Sequence, residues 1–322
     1  MLTFVVRRLL GLVAVLFVLS VLVFLIFFKL LGADPARQMA GRNPNPETIA
    51  HIKHEFALDR PHPVQYALMM KHMFWSHDLI SYGSHTKVIP QIWQAAPVTF
   101  SLVFGAAIIW VFFSILLGVL AAVSRGSVLD PIIMIFALIG ISIPVFWLGE
   151  VANLITQSRL HDTFLFSWVP PLGYTPFTEN PWQWFLHLII PWFTLSILYI
   201  GFYARVLRAN LLDVENEDYV RTARSKGLSE RRVLIRHMLR TSLITFVSLF
   251  GLDFGVLVGG GALLAEVVFG LPGVGLLTYN SLTSLDLPVI MTTVIYGAFF
   301  ITIANALVDL VYAYLDPRVR PT

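Results

Sequence analysis

From about residue 99 to 123 the chain carries no charged side chain, and that run constrains the fold more than any other feature. Roughly 20 apolar residues cross a hydrocarbon core as a helix. Inside that core every backbone N–H and C=O needs a partner from the protein, which leaves helices or closed barrels. Comparable runs recur at about 132–157, 185–206, 241–265 and 289–314. A first one extends from Leu9 to about Phe28, preceded by Arg7 and Arg8 and closed by Lys29. It is longer than a signal-peptide core and lacks a small-x-small cleavage site, so it reads as an uncleaved span. Strand-type alternation is absent, which excludes a barrel. The expectation is an all-α polytopic membrane protein with six transmembrane helices.

Composition agrees. Of 322 residues 57% are hydrophobic and 13% charged, against about 25% charged in soluble domains. The absence of cysteine removes disulfides, iron–sulfur clusters and thiolate zinc. The net charge of +3 comes from Lys and Arg gathered on one side of the membrane and does not point to nucleic acid. With the N-terminus inside, inner segments hold fourteen Lys and Arg and outer segments eight, mostly in one long loop. Both termini are therefore expected in the cytoplasm.

That outer loop, about 32–98, holds most of the histidines. Asn45-Pro46-Glu47 reads as an N-cap, a first-position proline and a dipole-favoured acid, opening a helix over about 46–57. Further helices are expected at about 64–75 and 87–96, the last leading into the membrane at Pro97. His51 and His54 are three apart, as are the ligands of some metal sites. No acid or third histidine completes a set with them or with His62, His72, His77 and His85, so no metal site is assigned.

The polar exception within the apolar chain is 218–240, strongly basic and placed between the fourth and fifth spans. Two short helices joined at Gly227 are expected. The first ends near Lys226, where a glycine tolerates positive φ; the second starts at Ser229, whose hydroxyl would cap its first turn. Apolar residues here are too few for a core, so the module should rest on span ends and show its other face to a partner. No Gly is followed by Lys anywhere, so no phosphate loop exists. Gly270-Leu-Pro-Gly-Val-Gly275 lies on the outer side and reads as a tight re-entrant turn.

Arg221-Thr-Ala-x-x-x-Gly227 followed by His237-x-Leu239 resembles the EAA loop of bacterial ABC importer permeases. Asp218-Tyr-Val-Arg-Thr-Ala-Arg-Ser-Lys-Gly-Leu-Ser and His237-Met-Leu-Arg240 are similar to its dipeptide/oligopeptide/nickel version. Asp34-Pro35, Pro63-Val-Gln-Tyr66, Ser142-Ile-Pro-Val-Phe-Trp-Leu-Gly149, Glu266-Val-Val-Phe-Gly-Leu-Pro-Gly-Val-Gly275 and Asp309…Leu315-Asp-Pro-Arg-Val-Arg320 follow in that family's order.

The resemblance implies a type I ABC importer transmembrane domain with an extra N-terminal span. Residues 1–31 would form that span, 32–94 an extracytoplasmic helical cap, 95–315 the transmembrane domain with a coupling module at 213–240, and 316–322 a cytoplasmic tail. The implied host is a bacterial or archaeal inner membrane, and the implied substrates are di-/oligopeptides or related small solutes, with nickel as the alternative. Implied partners are a second homologous permease, two ATPase subunits or one fused pair, an extracytoplasmic substrate-binding protein and the bilayer. ATP and Mg would be bound by the ATPases, with no cofactor or catalytic residue in this chain. Arg221, Ala223, Gly227, Ser229, Arg231, Arg232, Arg236 and His237 are the expected ATPase-coupling residues, with anionic-lipid anchoring as the competing role for the arginines. Glu266, Pro272, Gly273 and Gly275 mark an outer gate loop.

Ionisable residues within spans tend to face the bundle interior. Asp253, Glu150 and Asn153 are the pathway candidates; Asn305 and Asp309, four apart on one helix face, read as a structural pair. Gly255, Gly259 and Gly260 read as a packing surface for the partner permease. A secondary transporter would show repeat symmetry and matched broken helices, and none is evident. A membrane-embedded enzyme would need an acid/histidine cluster within the spans, also absent.

Overall fold

The computed structural model describes residues 2–26, 35–40 and 45–315. Lys29, Asp34 and the segment 316–322 lie outside them, as do the side chains of Arg7, Arg8 and Asp309, so the expectations placed there stay where the sequence left them. Among the described residues the structure is helical, with one isolated bridge between Ile80 and Lys87.

α1 is Leu2–Leu25, α2 Pro35–Met39, α3 Pro46–Glu55 and α4 His62–Lys71, the last prolonged by a π-helical turn over His72–Ser76. α5 runs Val88–Val123. α6 is Leu129–Ser142 and α7 Val145–Asn153, continued as a π-helical turn to Arg159. α8 is Pro181–Glu215, α9 Asp218–Ser225 and α10 Glu230–Gly261. α11 (Leu263–Phe269), α12 (Val274–Thr283) and α13 (Leu287–Leu315) complete the order. α5, α8, α10 and α13 are long and apolar enough to cross a membrane, and α6 with α7 forms one broken span. With α1 they make the expected six. α11 and α12 meet at 86°; neither is long enough to cross alone.

Three boundaries differ from expectation. The helix expected at 87–96 is not separate: α5 passes unbroken through Pro97, although an internal proline removes one ladder bond. The span expected at 132–157 bends by 93° between α6 and α7. There Ile143 is extended, as the residue before a proline prefers, and Pro144 stands at the N-cap of α7. The second short helix of the basic module is the first turn of α10, whose ladder continues through a π-helical turn at Leu234–Met238.

The chain divides into two compact units. The first gathers residues up to Thr99 with 258–267 and 272–302. Its core holds Phe24, Met69, Met73, Tyr82, Val88, Leu287 and Met291. The hydroxyls of Ser20 on α1 and Tyr66 on α4 lie 2.7 Å apart. The buried Asp286 carboxylate accepts from Ser81 Oγ at 2.5 Å and from the backbone N–H groups of Tyr82 and Gly83 at 3.1 and 2.9 Å. The loop before α5 is thereby fixed to the start of α13. Gly259 packs against Gly297 of the same chain: a Cβ on Gly297 would lie 2.2 Å from the Gly259 carbonyl oxygen. The surface assigned to the partner permease is at this position an internal helix crossing.

The second unit holds 100–257, 268–271 and the residues from 303. α8 is its axis. A Cβ on Gly201 would lie 2.3 Å from the Ala137 carbonyl of α6, and one on Gly105 would strike the Trp192 indole. Asp130 at the start of α6 receives a two-pronged contact from Arg208 of α8, both bonds 2.6 Å, the geometry that makes arginine–carboxylate pairs strong.

Candidate functional site

The basic module is built from the end of α8, α9 and the start of α10, all in the second unit. α9 ends because Gly227 takes φ +75°. Its N–H reaches the Arg224 carbonyl at 2.9 Å and that of Leu228 the Ala223 carbonyl at 3.4 Å, closing the last turn. Val220, Ala223, Val233 and Met238 are buried, so one face of the module is docked and the other free. Ser229 has the extended backbone of an N-cap, but its side chain makes no capping bond. The cap expected from its hydroxyl is therefore not formed; its carbonyl receives the Arg232 and Val233 N–H groups at 2.8 and 3.0 Å instead.

Arg224 fastens the three pieces. Its Nη2 donates to Glu215 at the end of α8 at 3.2 Å, and its Nε to Glu230 at the start of α10 at 3.1 Å. The Glu230 hydrogen bond, reinforced by Glu215, holds the guanidinium pKa above its usual range, so no titration near neutrality releases it. Charge balance carried the signal: Glu230 is an acid set into the basic island and Glu215 one just before it, and an acid six residues from Arg224 across a glycine turn is placed to bridge it. Arg221, Arg231, Arg232 and Arg236 are exposed and His237 is half-buried. Arg221 makes one long contact, 3.9 Å to the fully exposed Asp218, of a kind that adds little. Glu215, Arg224 and Glu230 line a groove of about 600 Å³ together with Val123, Leu212, Leu234, Met238, Arg125 and Arg231.

The residues expected at an outer gate form a second constellation, within the first unit. Glu266 is fully buried. Its carboxylate accepts from Thr99 Oγ1 at 2.6 Å and from the Leu276 N–H at 2.9 Å, while the same Thr99 oxygen accepts from the Val274 N–H at 2.9 Å. From α11 the carboxylate reaches the first turn of α12, where orphan N–H groups and the helix dipole favour negative charge. Gly273 is required for this: a Cβ there would lie 2.4 Å from the carboxyl carbon, and one on Gly275 2.5 Å from the Leu263 Cα. Pro272 is exposed. Thr99 is the residue the sequence reading missed; no spacing signals a hydroxyl 167 positions away.

The pathway candidates separate. Asn153 is buried and donates to the Val268 carbonyl at 2.9 Å, and a Cβ on Gly149 would lie 2.9 Å from Val268 Cγ1, so this face of α7 is packed. Glu150 turns the other way and is exposed. Asp253 is half-buried and accepts from Tyr203 Oη at 2.5 Å. Tyr203 lies in an aromatic cluster with Trp110 and Phe246. Among the described residues no three His, Cys, Asp or Glu side chains gather into a metal-holding group; His54 and His72 contact Asp59 and Asp78.

Comparison with known proteins fits this architecture. Residues 114–321 match the family described as binding-protein-dependent transport system inner membrane component, and residues 1–103 its N-terminal membrane component. A putative peptide transport system permease protein of Brucella abortus is 37% identical over 314 residues, covering 98% of each chain. A probable peptide ABC transporter permease protein of Sinorhizobium fredii is 33% identical, covering 98% of this chain and 99% of that one. The glutathione transport system permease protein GsiC of Salmonella choleraesuis is 36% identical, with 99% of both covered. Among solved structures, the MetNI methionine ABC transporter in an inward-facing form aligns with a TM-score of 0.50 at 17% identity, over 69% of this chain and 97% of that chain, a likeness of fold. Family match, full-length relatives and helical architecture agree: the chain belongs to the binding-protein-dependent transport family, as a multi-pass inner-membrane permease subunit of an ABC importer.

Proposed function

We propose that this subunit forms half of the translocation pathway for di-/oligopeptides or related small solutes, with Arg231, Arg232 and Arg236 docking on a separate ATPase. The observation that carries the reading is the Arg224 latch to Glu215 and Glu230. A module fastened to the ends of two membrane helices transmits displacement, whereas an unfastened loop would absorb it. In this reading the latch moves α8 and α10 together when paired ATPases close on bound ATP and Mg, and hydrolysis resets them. A similar second permease completes the pathway. A loaded extracytoplasmic binding protein docks on the cap and on the turn held by Glu266. Both termini then lie in the cytoplasm. The names of the relatives support peptides and glutathione as the solute class.

The test is Arg232→Glu in the reconstituted complex. ATP hydrolysis is expected to continue while solute uptake falls at least tenfold. Uptake at the unaltered rate would remove the docking role.

A further inference from the structure

The span made of α6 and α7 breaks at hydrocarbon depth. A Cβ on Gly201 of α8 would lie 2.3 Å from the Ala137 carbonyl, and one on Gly140 3.1 Å from the Ile197 carbonyl. The two meetings run in opposite order along the chain, so α6 and α8 lie side by side and antiparallel. Ile197 belongs to the stretch 181–204, which carries no Lys, Arg, Asp or Glu. It stands about 12 Å of helix from Arg205, the first charge below it. α6 is 14 residues long and rises only about 21 Å, short of a core roughly 30 Å thick. The bend at Ile143 and Pro144 is therefore inside the membrane, and α7 leaves it at 93°.

Lipid tails offer nothing to an interrupted ladder, so non-helical backbone at this depth is either buried in protein or lines water. This subunit does not bury it: Ser142 and Pro144 are exposed. Ile143 is extended, α7 starts without a side-chain cap, and Ser142 Oγ turns back to the Leu138 carbonyl at 2.8 Å. Glu150 then places a charge on the same span. It is exposed and forms no hydrogen bond or ion pair with another described residue. Phe146 and Trp147, four and three positions earlier, share its helix face, and Leu154 extends that face by one turn. All three are exposed.

Lipid, a second subunit or a solute meets this face in the assembled protein. Lipid is excluded by the carboxylate and by the open backbone. A permanent protein contact would be made by Phe146, Trp147 and Leu154 without any acid, and enclosing Glu150 with a fixed cation gains little over an apolar pair. The whole stretch 126–158 holds no Lys or Arg, so a similar span facing it would bring no counter-charge. A solute that comes and goes through water remains. A carboxylate beside two aromatic rings is complementary to an ammonium group, which is drawn by the charge and by the ring faces. A peptide carries that group at its amino terminus.

We propose that Glu150 lines the solute pathway and receives the amino terminus of a passing peptide, pairing with its ammonium against Phe146 and Trp147. This rests on the reading that the subunit conducts peptides, and it names the group by which the pathway holds them.

The experiment uses the absence of cysteine from this chain. Leu154→Cys sets a thiol one turn from Glu150 in the purified importer complex in lipid nanodiscs. Its labelling by water-borne methanethiosulfonates is followed by intact mass, without nucleotide and with ATP and vanadate. Labelling is expected in at least one state; a thiol unlabelled in both would show the face sealed by a subunit or by lipid and would overturn the proposal. The trimethylammonium reagent is expected to react about tenfold faster than the sulfonate reagent, and Glu150→Gln to bring the two rates together. Trialanine is expected to slow labelling several-fold and N-acetyl-trialanine to leave it unchanged, a difference that Glu150→Gln removes. Equal rates for the two reagents in the presence of Glu150, like protection by both peptides, or a preference that survives Glu150→Gln would overturn the role. Methylammonium chloride separates the site from the peptide reading. Protection by methylammonium without protection by trialanine keeps the ammonium site and discards the peptide; protection by none of the three probes discards the site.

Discussion

The Arg224 latch and the Glu266 turn both fasten a glycine-containing bend with charged side chains, yet by opposite physics. Around Arg224 the charges stand at the surface: the arginine is 33% exposed and Glu230 72%. Solvent and salt weaken such pairs to between zero and about 1 kcal/mol each. Around Glu266 the acid is wholly enclosed, its carboxylate is held by the Thr99 hydroxyl and the Leu276 N–H, and Gly273 leaves no space for even a methyl group. The first fastening can loosen and re-form; the second holds one geometry or none. Under the proposed function a module that follows an ATPase gains from the first kind, and a turn that holds one shape gains from the second.

The comparison breaks most visibly at Glu266→Ala. Removing the carboxylate orphans the Thr99 hydroxyl and the Leu276 N–H and leaves a void, an expected loss of about 3–5 kcal/mol. Thermal unfolding in detergent would register it as a large drop in Tm. A drop no greater than that of a surface variant would erase the distinction between the two regions. Gly227→Val comes next. A β-branched residue at φ +75° costs about 1–2 kcal/mol, and with the module displaced the complex is expected to hydrolyse ATP without uptake. Coupled uptake in that variant would show that the bend is dispensable.

Arg224→Ala sharpens the contrast. Its expected effect on stability is below about 1 kcal/mol, yet uptake per ATP hydrolysed should fall several-fold, with 1 M salt producing part of the same loss in the unaltered chain. Salt-insensitive coupling would mean that the latch is not held by charge. The smallest effect concerns the exposed pair at the cap. The hydrogen bond from His72, followed by the charge of that residue, holds the Asp78 carboxyl below its usual value. A depressed carboxylate contributes stability above its ordinary pKa of about 3.9 and loses it as pH falls through the lowered value. Asp78→Asn should therefore melt slightly below the unaltered chain at pH 7, and the gap should close below about pH 4. A gap unchanged at pH 3 would assign it to packing.

Features governed by neighbours in sequence were readable in advance. Asn45 caps α3, its Oδ1 accepting from the Glu47 N–H at 3.2 Å, and Gly227 turns the chain at positive φ. Ser229 shows the limit of the same reasoning: its backbone takes the cap conformation, but no local rule says whether the hydroxyl will bond. Pro97 and Pro144 show it again. Both are prolines in apolar runs, yet one lies within a continuous helix and the other stands at a 93° bend. The sequence of each run offers no basis for choosing between those outcomes.

The candidate site was legible in its outline and opaque in its fastening. Arg221 to His237 could be picked out because a basic island in an apolar chain has few structural uses. Arg224 was overlooked because its value lies in Glu215 and Glu230, which reach it only when α8, α9 and α10 are arranged. Asp253, read as a pathway candidate within a span, is tied to Tyr203 across 50 positions.

Hydrophobic runs, charge placement and turn residues determined by themselves that this chain lies in a membrane as helices, and where its polar module falls. Those are properties of solvent and of local backbone sterics, written residue by residue. Which carboxylate is buried, which arginine is shared and which glycine supports a crossing were decided by tertiary structure. Each depends on groups from different helices meeting at contact distance, which the reading of any one helix does not encode.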